Sequence, residues 1–249
     1  MRLFLRKYGS GPPLIILHGL YGSSDNWISI ARKAAERFTV YLPDARNHGQ
    51  SPHDNIHDYD SMAADLHELT TDLGLKEFYL AGHSMGGKTA LSFAVKWPGL
   101  IKGLLVADIS PFTPLTGYDE FYKQHMLILN AIRSVDAASL KTREEADALL
   151  SQHIDSEKIR SMLLKNLERV SGNGFRWKLN ADALYKNITK IIDGFGRDEI
   201  YPVTGFPVVF LKGSLSAYLP ESDNRFIEQL FPAAEIINLE GAGHWIHTE

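Results

Sequence analysis

The residues best placed to do chemistry are one serine and one late histidine. Gly82-His83-Ser84-Met85-Gly86-Gly87 follows the apolar run Phe78-Tyr79-Leu80-Ala81 and leads into a helical pattern. A serine on a sharp turn between strand and helix presents its hydroxyl, and small flanking glycines remove the side chains that would collide there. Such a hydroxyl becomes a nucleophile when a neighbouring base takes its proton. His244, in Gly241-Ala242-Gly243-His244-Trp245, is delivered by a glycine-rich turn after a late apolar run and fits that role. His247, close by, reads as a surface residue.

The base needs a carboxylate to orient it. The loop after Leu211, Lys212-Gly213-Ser214-Leu215-Ser216-Ala217-Tyr218, follows a core strand but holds no acid. Asp108 ends the preceding core run, Leu104-Leu105-Val106-Ala107, and can reach the histidine from the neighbouring loop, with Ser216 as an auxiliary hydrogen-bond partner. Asp182 is an outside candidate whose alternative role is to cap a helix. A carbonyl oxygen that gains charge needs two backbone N–H donors. Met85, directly after the serine, and Leu20, in His18-Gly19-Leu20-Tyr21-Gly22, are placed to supply them. His18 reads as an anchor of that turn. Asp44, in the run from Asp44 to Ser51, reads as an organiser of its own loop.

The same stretch supports a rival reading. Residues 82–89 also spell G-x-x-x-x-G-K-T, a phosphate-loop pattern after a strand, and Asp108 after its apolar run imitates a magnesium-binding aspartate. A nucleotidase would not need the early His-Gly turn or the late Gly-His, whereas a serine hydrolase needs both. A third reading is an inactive binding protein that keeps the fold. The run His53-Asp54-Asn55-Ile56-His57-Asp58 has ligand-type residues but loop chemistry, and no metal is expected there.

These residues must be carried by a scaffold, and the apolar pattern describes one. Short runs at residues 14–17, 38–42, 78–81 and 104–107 alternate with helical patterns at 26–35, 61–73 and 86–97. That order predicts an α/β fold with a mostly parallel sheet flanked by helices, its functional loops at the carboxyl ends of the strands. Residues 112–204 change character: no strong strand is expected, and residues 118–132, 143–150, 157–170 and 182–192 read as amphipathic helices. The sheet pattern resumes at 207–211 and 235–239 around a helix near 226–231. The expected organisation is a core of residues 1–111 and 205–249, interrupted by a helical cap at 112–204. Tyr21 and Trp245, with Phe112 and Tyr122 of the cap, are candidates for the pocket wall.

Composition narrows the function. The 249 residues are 44% hydrophobic and 22% charged, with a net charge of −4 and no cysteine. There is no general basic field to attract nucleic acid, no disulfide or thiolate chemistry, and no apolar segment long enough to span a bilayer. The N-terminal run lacks the length of a secretory signal, so the cytoplasm is the expected compartment.

Together, His18-Gly19, the Asp44–Ser51 loop, residues 82–88 and residues 241–245 resemble the α/β-hydrolase family, with the nearest likeness to small YbfF-type bacterial esterases. The resemblance implies a cofactor-free carboxylesterase or thioesterase acting on small acyl esters, and makes the phosphate-loop match a coincidence. Serine at position 84 sets the chain apart from the dehalogenase and epoxide-hydrolase branches, which carry aspartate there. The resemblance also implies a closing C-terminal helix after His244; a polypeptide that ended at Glu249 would be expected to leave an apolar sheet face open, and one that continued would cover it.

Overall fold

A computed structural model describes residues 1–170, 174–198 and 200–246. The chain begins with strands β1 (Leu5–Tyr8) and β2 (Pro13–Leu17), helix α1 (Ile28–Ala34), β3 (Thr39–Pro43), α2 (Tyr59–Asp72), β4 (Phe78–His83), α3 (Met85–Lys96) and β5 (Ile101–Ala107). It continues through α4 (Tyr118–Ser134), α5 (Arg143–Leu150), α6 (Glu157–Leu164), β6 (Leu167–Arg169), β7 (Phe175–Trp177) and α7 (Ala181–Ile192), then β8 (Val208–Gly213), α8 (Asn224–Leu230) and β9 (Ala234–Leu239).

The main sheet has seven strands in the order β1-β3-β2-β4-β5-β8-β9. β1 runs antiparallel to β3, and the remaining pairs are parallel. Buried parallel strands read as near-continuous apolar runs, which is why β2, β4, β5 and β8 were legible. Because β4 lies between β2 and β5, and β8 lies beside β5, the loops after all four strands open on one sheet edge. β9 lies beside and parallel to β8, so the turn that carries His244 and Trp245 opens on the same edge.

Two expectations need correction. The helix expected over 157–170 ends at Leu164, and Leu167–Arg169 pairs antiparallel with Phe175–Trp177 instead. Each strand has only three residues, too few for a period-2 pattern to stand against a helical reading of the stretch. β1, not expected at all, is a four-residue edge strand whose Arg6 and Lys7 suit an edge that must not recruit another strand.

Apolar packing forms three clusters. The largest joins the sheet to α2, α3 and α8 through Ile15, Leu80, Phe93, Phe210 and Phe231. A second holds α4, α5, α6 and α7 together through Leu129, Ile132, Leu150, Leu163 and Ile188, and it extends to Tyr21 and Met85 on the sheet edge. Fully burying one such side chain is worth about 1.5–3 kcal/mol, so this seam docks the helices firmly over the edge. The third cluster, around Trp27 and Leu42, packs α1 against β2 and β3. On that same face of the sheet, Leu14, Ile16, Tyr79, Ala81, Leu105 and Val209 line an apolar hollow of about 470 Å³. Among the described residues no helix is long and apolar enough to cross a membrane.

Candidate active site

β4 ends at His83 and α3 begins at Met85, so Ser84 alone makes the turn. Its backbone sits at φ 53, ψ −120, a sparsely populated region that costs on the order of 1–3 kcal/mol and must be held by its surroundings. Ser84 N–H donates to the Ala107 carbonyl at 3.1 Å, tying the turn to β5. The flanking glycines are required by close approach: a Cβ on Gly82 would lie 2.2 Å from the Gly86 oxygen, and one on Gly86 would lie 2.4 Å from the Leu17 oxygen.

Three of the expected residues meet here. His244 Nε2 lies 3.1 Å from Ser84 Oγ, and His244 Nδ1 lies 2.8 Å from Asp108 Oδ2. Asp108 is fully buried and, like Ser84, has a positive φ, of 51°. Its Oδ1 accepts from Gly213 N–H at 2.9 Å, and its Oδ2 also accepts from the Ser216 hydroxyl. A carboxylate can only accept, so Nδ1 of His244 carries the proton and Nε2 is left to accept from the serine. That is the protonation pattern a general base needs.

Two neighbours of His244 went unrecognised in the sequence. His83 Nε2–H donates to the His244 carbonyl at 2.7 Å, and the Tyr218 ring stacks on the His244 ring at 3.7 Å between centroids. Burial, with Asp108 nearby, pushes the Tyr218 phenol up to about 12 and keeps it neutral. No sequence spacing signals these contacts, because they join positions far apart in the chain.

The two expected donors come from different elements and line one cavity with Ser84. Met85 is the first residue of α3 and Leu20 is in the turn after β2; among the described residues neither N–H has a protein acceptor. Gly19 brings that turn in, since a Cβ there would be 3.3 Å from Ser84 Cβ. His18 anchors it: Nδ1–H donates to the Gly19 carbonyl at 2.8 Å and Nε2 accepts from Ala45 N–H at 2.9 Å. Asp44 accepts from Ser24 N–H at 2.7 Å and Gln50 N–H at 2.8 Å, organising its loop.

Other candidates lie elsewhere. Asp182 pairs with Arg133 at 2.7 Å on an exposed face of the helices and is not brought to His244. Neither does it cap α7, whose first turn is capped by the Asn180 side chain. Asp58 caps α2, and His57 packs its ring against His48, so the 53–58 run is used structurally. His247 lies outside the described residues.

Two cavities meet at Ser84. The smaller, about 180 Å³, is walled by Ile109, Phe112, Leu115, Phe121, Ile191 and Ile192. The larger, about 380 Å³, lies between the 19–22 turn and helices α4 and α6, with Tyr21, Ile128, Met162 and Trp245 in its wall. Leu20, His125 and Tyr218 line both. Tyr122 packs into the apolar cluster of the helices instead.

Lys88 decides against the phosphate-loop reading. The pattern 82–89 is a strand end, a one-residue turn and a helix start, with no loop to wrap an anion. The Lys88 ammonium is buried and donates to the carbonyls of Ile192 at 2.7 Å and Asp193 at 2.8 Å, at the C-terminal end of α7. Burial pushes it down to about 7, against the attraction of Asp193.

Residues 12–249 match the profile of a family described as alpha/beta hydrolase fold. The sn-1-specific diacylglycerol lipase ABHD11 of Xenopus laevis is 37% identical, over 96% of this chain and 76% of that protein. Esterase YbfF of Escherichia coli is 32% identical, over 95% of this chain and 87% of that protein. A solved structure described as a marine microorganism esterase superposes with a TM-score of 0.93 at 48% identity, covering 99% of this chain and 94% of that one.

Proposed function

The chain belongs to the alpha/beta hydrolase fold family and is a hydrolase of the esterase and lipase kind, and on that premise we propose that it cleaves carboxylic esters or thioesters through an acyl-enzyme on Ser84. The observation that carries this reading is the relay from Ser84 Oγ through His244 to Asp108, with both hydrogen bonds formed. As Ser84 Oγ attacks the carbonyl carbon, His244 Nε2 takes its proton and Asp108 steadies the imidazolium. The charge moves to the carbonyl oxygen, which the N–H groups of Leu20 and Met85 receive. His244 returns the proton to the leaving oxygen or sulfur as its bond to carbon breaks. Water then attacks the acyl-Ser84 carbonyl and gives its proton to His244, which returns it to Ser84 Oγ as the acyl–oxygen bond breaks, releasing the carboxylic acid and free serine.

Residues 112–204 act in this reading as a cap that closes the site from above. The apolar walls of the smaller cavity suit the acyl chain, and the larger cavity suits the leaving group. The names of the relatives, a diacylglycerol lipase and esterases, are in keeping with such substrates.

The test is hydrolysis of p-nitrophenyl acyl esters of graded chain length by the parent and by Ser84→Ala. The variant is expected to lose about 10⁴-fold or more of kcat. Full activity in Ser84→Ala would overturn the assignment.

A further inference from the structure

Tyr21 is held in a conformation its side chain disfavours. Gly22 N–H donates to the Gly19 carbonyl at 3.0 Å, closing a turn in which Leu20 and Tyr21 are central. Tyr21 has a φ of 63°, while Leu20 is not among the residues with positive φ. That is the pattern of a type II turn, whose third position normally holds glycine or asparagine. A buried tyrosine there is strained, and something must keep it there.

Three groups do so. Tyr21 N–H donates to His48 Nε2 at 3.3 Å, and His48 can accept because its Nδ1–H is committed to the Arg46 carbonyl at 2.9 Å. The Tyr21 carbonyl accepts from Asn166 Nδ2 at 2.8 Å. The Tyr21 phenol meets His125 Nδ1 at 3.1 Å. Two of the three come from residues 112–204: His125 on α4, and Asn166 between α6 and β6. Asn166 is 2% exposed, so water does not compete for its bond. Letting the turn relax would rotate the Leu20–Tyr21 peptide, withdraw Tyr21 N–H from His48 and set the Leu20 carbonyl on that side.

We propose that Asn166 and His125 are positioning residues, through which the cap holds Tyr21 in its strained turn and so keeps in one conformation the turn that carries the Leu20 N–H. Oxyanion stabilisation then depends on a docked cap, and a substrate that seats the cap also completes the site. This rests on the acyl-enzyme reading above.

Asn166→Asp is nearly isosteric but sets an acceptor against the Tyr21 carbonyl, and Tyr21→Phe removes the phenol bond alone. Each is compared with the parent for p-nitrophenyl ester hydrolysis, for affinity toward an alkyl trifluoromethyl ketone, which forms an oxyanion on Ser84, and toward the unfluorinated ketone, which stays trigonal. Loss of an oxyanion donor costs about 10²–10³ in kcat, so a misaimed one in Asn166→Asp is expected to cost roughly 10–100-fold, and Tyr21→Phe a few-fold. The fluorinated ketone should weaken in proportion to the loss in kcat, while KM and the plain ketone stay within about twofold of the parent. Unchanged kcat in a folded Asn166→Asp, or equal weakening of both ketones, would overturn the inference. Should Asn166→Asp fail to fold, Tyr21→Phe decides by the same ratio. A parent that forms no ketone adduct on Ser84 would instead count against the acyl-enzyme reading, and the inference would fall with it.

Discussion

Asp108 accepts from Gly213 N–H, from the Ser216 hydroxyl and from His244 Nδ1, so its orientation does not depend on any one of them. This redundancy separates two substitutions. Asp108→Asn presents an amide that can donate to His244, favours the wrong tautomer, and is expected to lower kcat by about 10³–10⁴. Ser216→Ala leaves two of the three bonds in place and is expected to cost about 10–100-fold, since a hydrogen bond to a charged group is worth about 1.5–3 kcal/mol. Steady-state kcat values of the two variants check the order; a Ser216→Ala loss as large as that of Asp108→Asn would mean the serine takes part in proton transfer.

At the level of elements, the Ser84 turn between β4 and α3 is permitted by the glycines that flank it. An alanine at Gly86 would place its Cβ 2.4 Å from the Leu17 oxygen, backbone against helix, with no flexible neighbour to give way. Gly86→Ala is therefore expected to abolish activity and to lower the yield of folded protein, read by ester hydrolysis and circular dichroism. Lys88→Met leaves the Ile192 and Asp193 carbonyls without their donor. The expected cost is about 1–3 kcal/mol in urea unfolding, with faster amide exchange at the end of α7. The strand–Ser84–helix unit and the Asp108 loop were legible because each follows a buried parallel strand, and such strands are written as apolar runs; the Gly-His turn was legible from its glycines after the Ile236-Ile237 pair of the edge strand β9. The β6–β7 hairpin was not, since its two three-residue strands carry too few positions to establish a period. Lys88 was legible only as part of a phosphate-loop pattern, and its partners at 192 and 193 are a tertiary fact with no local signal. The same holds for His83 on the His244 carbonyl and Tyr218 on its ring.

For the whole molecule, buried neutral histidines couple folding to pH. His57 is fully buried, and burial together with Arg46 pushes it down to about 3; His18 and His48 are lowered in the same direction by burial. Above the ordinary value near 6.5 both folded and unfolded chains leave these rings neutral, and they add no pH dependence. Below it the unfolded chain binds protons that the folded chain refuses, so stability falls as pH falls from about 6.5 toward the lowered values. Each such histidine contributes at most about 1.4 kcal/mol per pH unit over that window. The urea midpoint is expected to be lower at pH 5 than at pH 7.5, and a flat profile between them would contradict the neutral burial of His57. Since His48 also supports Tyr21, activity should fail along with this cluster as acid opens it.

The claim on which the rest depends is that Ser84 is activated by His244. The direct measurement is reaction of the purified protein with a fluorophosphonate, mapping of the adduct by mass spectrometry, and the same experiment on folded His244→Ala. The account predicts a single adduct on Ser84 whose rate of formation falls by several orders of magnitude in His244→Ala. Failure of the folded parent to label, or equally fast labelling of Ser84 without His244, would contradict it.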